Sequence, residues 1–411
     1  MVNFERYTLS NGLRLLVHKD ETTPMATVCM TYDVGTKDED PEKSGYAHLL
    51  EHLMFCGSKN AARFDDLIQN AGGENNAFTN QDMTVFYDIV PLENLEVALF
   101  LEADRMTNLQ FKKKSFLREQ KVVVEEFKET CIDEPYGDIW HHIGPLLYQV
   151  HPYSIPPIGK KMEHIANARI EDLESFYKKF YQPANAILTV SGNIAPEIVL
   201  EKVQKWFGEI PNQIIEKRML AQEPNQEVKR RLHVSADVPT PAIYLIFHSA
   251  ERMSWDYYLD EVLSDILGEG DSSVIYKKLV KEQEIFSEAD VYITGTLDTG
   301  LFILEGKLNE GKTFEEAEKA LWSILNPLKK KKLSKKELTR LQNKIEHNLE
   351  FAEIGAFHKA VNLGYYELLG NPQWINEEGE RYRTITINDL QERSKQLFQE
   401  SKASVIYYNP K

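Results

Sequence analysis

The chain has 411 residues, too many for one ordinary domain and enough for two or three. Hydrophobic residues make up 42% and charged residues 27%, a profile that buries a real core and excludes collagen-like, low-complexity and disordered chains. Sixty-four acids stand against 48 Lys and Arg, a net charge of −16, which argues against nucleic acid or an anionic membrane as partner and suits neutral or basic ligands.

The N-terminal residues, Met1 to Arg6, lack an apolar run of the signal-peptide kind. A cytoplasmic location is expected, or a periplasmic one if a leader was removed. No stretch approaches about 18 uncharged apolar residues, so no membrane span is expected. Cys29, Cys56 and Cys131 are an odd count in a long chain. They predict no disulfide framework, fit a reducing compartment, and read as buried structural thiols. Strands are predicted at 6–18, 24–34, 83–91 and 186–192, with helices between them.

The chemistry begins at Gly45-Tyr-Ala-His48-Leu-Leu-Glu51-His52-Leu-Met-Phe55. Ser44 can cap this predicted helix and Gly57 can close it. His48 and His52 are four residues apart and share one helix face. Two imidazoles at that spacing can grip one zinc ion. Glu51 lies beside them and can reach a metal-bound water, the inverted order of the zinc-protease motif. Next along the chain, Gly72 and Gly73 read as a turn, and the residues after them alternate toward a strand. The helix 117–127 then carries Glu119 and Glu126, seven apart and close to two full turns. They share a face with Val122 and Val123. Carboxylates on an apolar face need a partner, and a metal with its histidines is one. Glu126 is therefore expected as third ligand and Glu119 as a carboxylate orienting a ligand. Glu125 points away toward solvent.

Displaced by 217 residues, the chain matches itself at two places. Pro24 to Met30 meets Pro241 to Phe247, and Ile170, Asp172, Leu173, Lys178, Gln182 and Ala186 meet Ile387, Asp389, Leu390, Lys395, Gln399 and Ala403. One offset at both ends predicts a duplicated domain. The joint falls in the polar stretch Pro211 to Arg231. The expected domains are 1–217, metal-bearing, and 218–411, homologous without metal. Each is expected as α+β, a mostly antiparallel sheet with helices packed on one face. The basic run Lys329 to Lys332 reads as a solvated loop before a capping box at Ser334-Lys-Lys-Glu337.

These residues resemble the pitrilysin/insulinase family of zinc metallopeptidases, the inverzincins. The short two-domain branch, with bacterial processing proteases and mitochondrial processing peptidase subunits, is the most similar. His48 to Ser58 matches the family's zinc helix, and Glu119 to Glu126 its downstream acidic pair. Ala71 to Tyr87 and Tyr181 to Ala186 match two further blocks. The resemblance implies that Ala77 lies on an edge strand beside the zinc, where substrate adds as one more strand held by Asn76. It also exposes a departure. Family members that work alone carry an Arg and a Tyr in the second half, where this chain has Val280 and Ser287. Asp265 and Glu269 stand where the offset places His48 and His52. The expectation is a zinc-dependent endopeptidase acting on unfolded peptides inside a clamshell chamber. Glu51 is its general base, and a homologous partner chain supplies the Arg and Tyr. A homodimer in which Lys281, Tyr276 or Tyr292 substitutes is the alternative arrangement. The acid excess points to basic peptides such as targeting sequences. Two other readings stay open: a non-catalytic assembly subunit, and a peptide-binding module that turns over slowly.

Overall fold

A computed structural model describes residues 1–212, 218–330 and 334–411. Lys217 and the four residues before it, inside the expected joint, lie outside the described residues, as do Lys331 and Lys332 of the basic run. The capping box after that run is formed, with Ser334 and Glu337 exchanging side-chain-to-backbone bonds. Among the described residues no helix is long and apolar enough to cross a membrane.

Among the described residues eleven strands build two sheets. The first holds β1 (Glu5–Thr8), β2 (Arg14–Lys19), β3 (Met25–Tyr32), β4 (Glu74–Thr79), β5 (Thr84–Pro91) and β6 (Ala186–Gly192), in the order β1-β2-β6-β3-β5-β4. The second holds β7 (Arg230–Ala236), β8 (Ala242–His248), β9 (Phe286–Ile293), β10 (Leu301–Leu308) and β11 (Ser404–Pro410), in the order β7-β11-β8-β10-β9. Leaving out β1, the two orders are the same. In both, a parallel pair joins the early strand to the last one, β2 with β6 and β7 with β11. The 217-residue offset carries Met25, the start of β3, onto Ala242, the start of β8. The chain is a duplicated α+β protein.

Its contacts divide it into two compact units. One comprises Met1–Glu129, Ile155–Leu220 and Leu349–Glu377, the other Thr130–Ser154, Ala221–Asn348 and Glu378–Lys411. A cut at 217 follows the repeat, whereas the contacts follow the packing. The two short segments that change sides are themselves repeat equivalents. The helix Ile139–Leu147, shifted by 217, begins at Ala356, where the helix Ala356–Leu368 begins.

In each unit the exchanged helix covers the sheet face opposite the main helical layer. In the first, Met30, Tyr32 and Phe86 face one way and Cys29, Thr31 and Val85 the other, as strand alternation requires. Ala360 packs with Cys29 and Val85. Gly364 lies so close to the sheet that a Cβ there would sit 2.8 Å from Thr31 Oγ1. In the second unit, Ile143 and Leu147 join Tyr244, Ile246, Ile303 and Ile406 in one buried cluster. Cys29 is buried as expected, but Cys56 and Cys131 are only half-buried. Cys131 falls in a loosened turn, Glu129–Asp133, that follows the Glu126 helix.

The core of the first unit also encloses a charge. Arg105 is 1% exposed and forks onto Glu102 of its own helix. Its guanidinium lies 4.4 Å from the Phe64 ring centroid and 4.3 Å from that of Phe86. Asp88 is also buried, and its own burial together with the Glu102 carboxylate pushes its pKa well up. The guanidinium thus pairs with Glu102, and its charge also opposes the rise at Asp88. Arg105→Leu leaves the buried Glu102 carboxylate without its ion-pair partner, and stability falls by about 3–5 kcal/mol. Urea unfolding checks this, and an unmoved midpoint contradicts it.

Candidate metal centre

The helix Tyr46–Met54 turns Leu49, Leu50, Leu53 and Met54 into the core, and its other side carries His48, Glu51 and His52, each half-buried. Its start differs from the sequence expectation. Gly45, at φ +85°, is the N-cap and has no side chain to offer. The Glu39 carboxylate takes that role, accepting from the Gly45 N–H at 2.8 Å and the Ala47 N–H at 2.7 Å. Burial pushes the Glu39 pKa up to about 8, against the pull of those amides. Ser44 is occupied elsewhere: its Oγ accepts from the Lys160 N–H and pairs with His164 Nδ1. Gly57, at φ +102°, follows the helix end, where a Cβ would sit 2.5 Å from the Ala62 carbonyl oxygen.

The helix Lys113–Lys128 buries Phe116, Glu119, Val123 and Phe127 along one stripe. Glu126 is half-buried beside it, and Glu125 is exposed as expected. Val122 does not share that face; it is 44% exposed.

Between these helices the expected ligands meet. His48 Nε2 is 3.6 Å from Glu126 Oε1, and His52 Nε2 is 3.4 Å from Glu126 Oε2. One donor atom from each of the three lies within 4.8 Å of the others. A tetrahedral ion with bonds of about 2.1 Å spaces its ligand atoms about 3.4 Å apart, so this set fits zinc by both chemistry and distance. Glu119 stands behind it, with Oε2 3.7 Å from His52 Nδ1. Arg118 Nε and the Cys56 thiol donate to Glu119 Oε1 at 2.7 and 3.4 Å.

The electrostatics show what the cluster wants. Burial lowers the His48 pKa to about 4. Burial also opposes charge on His52, but the carboxylates of Glu119 and Glu126 outweigh it and raise that pKa to about 9. The hydrogen bond to His52 holds Glu119 down at about 2 and lowers Glu126 as well. Two ionised acids thus hold a proton on one imidazole, the charge balance that a cation supplies instead.

Glu51 sits next to this set, and burial raises its pKa. Its Oε2 accepts from Thr79 Oγ1 at 2.6 Å. Thr79 belongs to β4, the edge of its sheet. The Asn80 N–H donates to the Met83 carbonyl at the hairpin end. Counting back in alternation, Phe78 and Asn76 bond to β5, while Asn75, Ala77 and Thr79 turn their backbone groups to the free edge. Asn76 Oδ1 accepts from the Ala77 N–H at 2.8 Å. Asn76 is therefore a strand residue of this edge. The sequence reading missed Glu39, Cys56, Arg118 and Thr79. Only Thr79 left a signal, standing two residues after Ala77 on the same strand face.

In the second unit the positions equivalent to the histidines hold Asp265 and Glu269, and Lys344 Nζ lies 2.8 Å from Glu269 Oε1. Burial and Glu269 push the Asp265 pKa up to about 6. Shifted by 217, Glu126 falls one residue before Lys344. An ammonium thus pairs with the acid at one histidine position, and the third ligand has no equivalent. Ser287 lies on β9, its Oγ 3.3 Å from the Lys307 carbonyl. Tyr292 donates to Glu305 at 3.3 Å, and Lys281 lies over the Tyr276 ring.

Comparison with known proteins gives the family. The family model described as Insulinase (Peptidase family M16) matches residues 14–135, and the Peptidase M16 inactive domain matches 167–345. The zinc protease PqqE of Helicobacter pylori is 30% identical over 415 residues, spanning 99% of this chain and 93% of that protein. A probable mitochondrial-processing peptidase subunit beta of Schizosaccharomyces pombe is 27% identical over 318 residues, spanning 72% of this chain and 68% of its own. The crystal structure of a protease from Helicobacter pylori superposes with a TM-score of 0.94 at 28% identity, covering 100% of both chains. The chain belongs to the insulinase family of peptidases, family M16.

Proposed function

We propose that this chain is a zinc-dependent endopeptidase for unfolded peptides and the metal-bearing member of a two-chain enzyme. The observation that carries the reading is one cluster: His48, His52 and Glu126 with converging donor atoms, Glu51 beside them, and a free strand edge joined to Glu51 through Thr79. When bound, zinc supplies Lewis acidity that makes water a nucleophile near neutral pH and polarises the scissile carbonyl.

The remaining work belongs to side chains and backbone. A peptide adds to the outward groups of Asn75, Ala77 and Thr79 as a further strand, with Asn76 at its side. Backbone pairing makes few demands on sequence. Glu51 takes the proton of the attacking water and delivers it to the leaving amine nitrogen. Its burial keeps that proton transferable. Glu119 holds His52 in orientation, as a carboxylate behind a ligating histidine does. Val280 and Ser287 offer no charged or phenolic donor for the developing oxyanion. A homologous partner chain that brings an Arg and a Tyr completes the site and closes over the peptide.

Val280 and Ser287 also favour a second reading, a zinc-holding module that binds peptides and turns them over slowly. A peptide cleavage assay with and without chelator separates the two.

Glu51→Gln retains zinc and loses activity by about 10²–10⁴-fold. Undiminished turnover removes Glu51 as base. For Glu126→Gln, zinc affinity falls at least roughly tenfold, the smallest loss found even for groups behind the ligands. Competition titration and elemental analysis measure it, and unchanged metal content moves the third ligand elsewhere. The purified chain alone cleaves a basic fluorogenic peptide slowly, and a homologous chain carrying the Arg and Tyr raises the rate. Full activity without it contradicts the two-chain proposal.

A further inference from the structure

Thr79 carries more than its place on the edge strand. Its Oγ1 lies 2.6 Å from Glu51 Oε2 and 3.3 Å from Thr84 Oγ1. A hydroxyl has one proton, so only one of these can be a donation. Thr84, fully buried on β5, is 3.0 Å from the Val34 carbonyl oxygen, which can only accept. The Thr84 proton is committed there, and the Tyr181 hydroxyl at 3.5 Å is placed to donate to Thr84. The Thr79 proton goes to the nearer and charged acceptor, Glu51.

From this geometry, and resting on the peptidase reading above, we infer that Thr79 is a positioning residue for the reaction: its hydroxyl fixes Oε2 of Glu51 and leaves Oε1 as the oxygen that takes the proton from water. The proton passes from water to Oε1 and from Oε1 to the leaving amine, while the Thr79 proton stays on Oγ1 throughout. The β-branch matters too, because it restricts the side chain to few rotamers and so holds the hydroxyl in line. The same residue presents its backbone to the free edge. A peptide pairing with β4 therefore grips the strand that orients the base, and the scissile bond and Glu51 share one reference frame.

The test compares Thr79→Val, which keeps the shape and loses the hydroxyl, with Thr79→Ser, which keeps the hydroxyl. Native protein and both variants are loaded with zinc and assayed on a fluorogenic peptide, with and without the homologous chain. The expected result is a kcat about 10²-fold lower for Thr79→Val, the size of a misplaced catalytic group. KM, zinc content and unfolding midpoint stay unchanged, and Thr79→Ser recovers most of the loss. A crystal structure of metal-free Thr79→Val is expected to show the Glu51 carboxylate turned from its native position. Native kcat in Thr79→Val, an unmoved carboxylate, or a fall in kcat matched by a lower unfolding midpoint each overturns the inference while leaving the peptidase reading standing. If the native protein with zinc and the homologous chain cleaves nothing, the peptidase reading falls and takes the inference with it.

Discussion

Acid and imidazole groups cannot be crowded between two helices without a positive charge among them, and much of this molecule follows from that. Glu51, Glu119 and Glu126 stand around His48 and His52 at the edge of the core, where each carboxylate is half-buried or more. The acids favour positive charge at this point, raising the His52 pKa to about 9 against its burial. A divalent cation satisfies the same groups better, since it meets both imidazoles and a carboxylate at once. The second unit solves the same problem differently. Its helix carries Asp265 and Glu269 at the histidine positions, and the facing helix supplies the Lys344 ammonium. One fold, twice present, sets an ammonium against these positions in one copy and gathers a set of metal-ligand side chains in the other. This is how two halves with the same strand order come to differ in chemistry.

The fold class and the duplication were legible because both are written in local pattern. Proline-entered apolar strands and amphipathic helices recur at one offset, and the sheets repeat their order to match. The exchange of Ile139–Leu147 and Ala356–Leu368 was not legible. An offset says which residues correspond, and both exchanged helices correspond perfectly well. It does not say on which sheet each one rests, because that depends on burial across the chain. Gly364 against Thr31 is the sort of contact that decides it, and its two residues are hundreds of positions apart.

The site divides in the same way. His48, Glu51 and His52 were legible from helical spacing alone, and Glu119 with Glu126 from a second spacing on a second helix. What surrounds them was not. Ser44 is a good N-cap by type, yet the free N–H groups go to Glu39, because a turn brings a carboxylate to them and Ser44 is drawn to His164 and Lys160. Val122 is apolar by type, yet it faces outward, because Val123 and Phe127 already fill the stripe that packs inward. Cys56 and Arg118 meet Glu119 across 63 and one residue of chain respectively. Side-chain type states what a residue can do, and tertiary contact selects among the possibilities.

The edge strand adds the last constraint. A strand that receives a peptide must have a free side, and a free side is normally a site of motion and mispairing. Among the described residues β4 pairs with a single strand, so in the sheet its order is passed on through β5. That strand is anchored on its helix-facing side at every second residue. Thr84 ties to the Val34 carbonyl, Phe86 lies beneath the Arg105 guanidinium, and Asp88 is buried beside Glu102. All three are fully buried. The same alternation that sends these residues inward sets Thr79 opposite Thr84 in register, and so sets the hydroxyl against Glu51. The buried charge at Arg105 and the proposed base at Glu51 thus touch one hairpin at two places, through Phe86 and Thr79. A core that could have been filled with apolar side chains instead sets a guanidinium against β5, and on the proposed reading the ordered edge beyond it places a peptide bond where Glu51 can act.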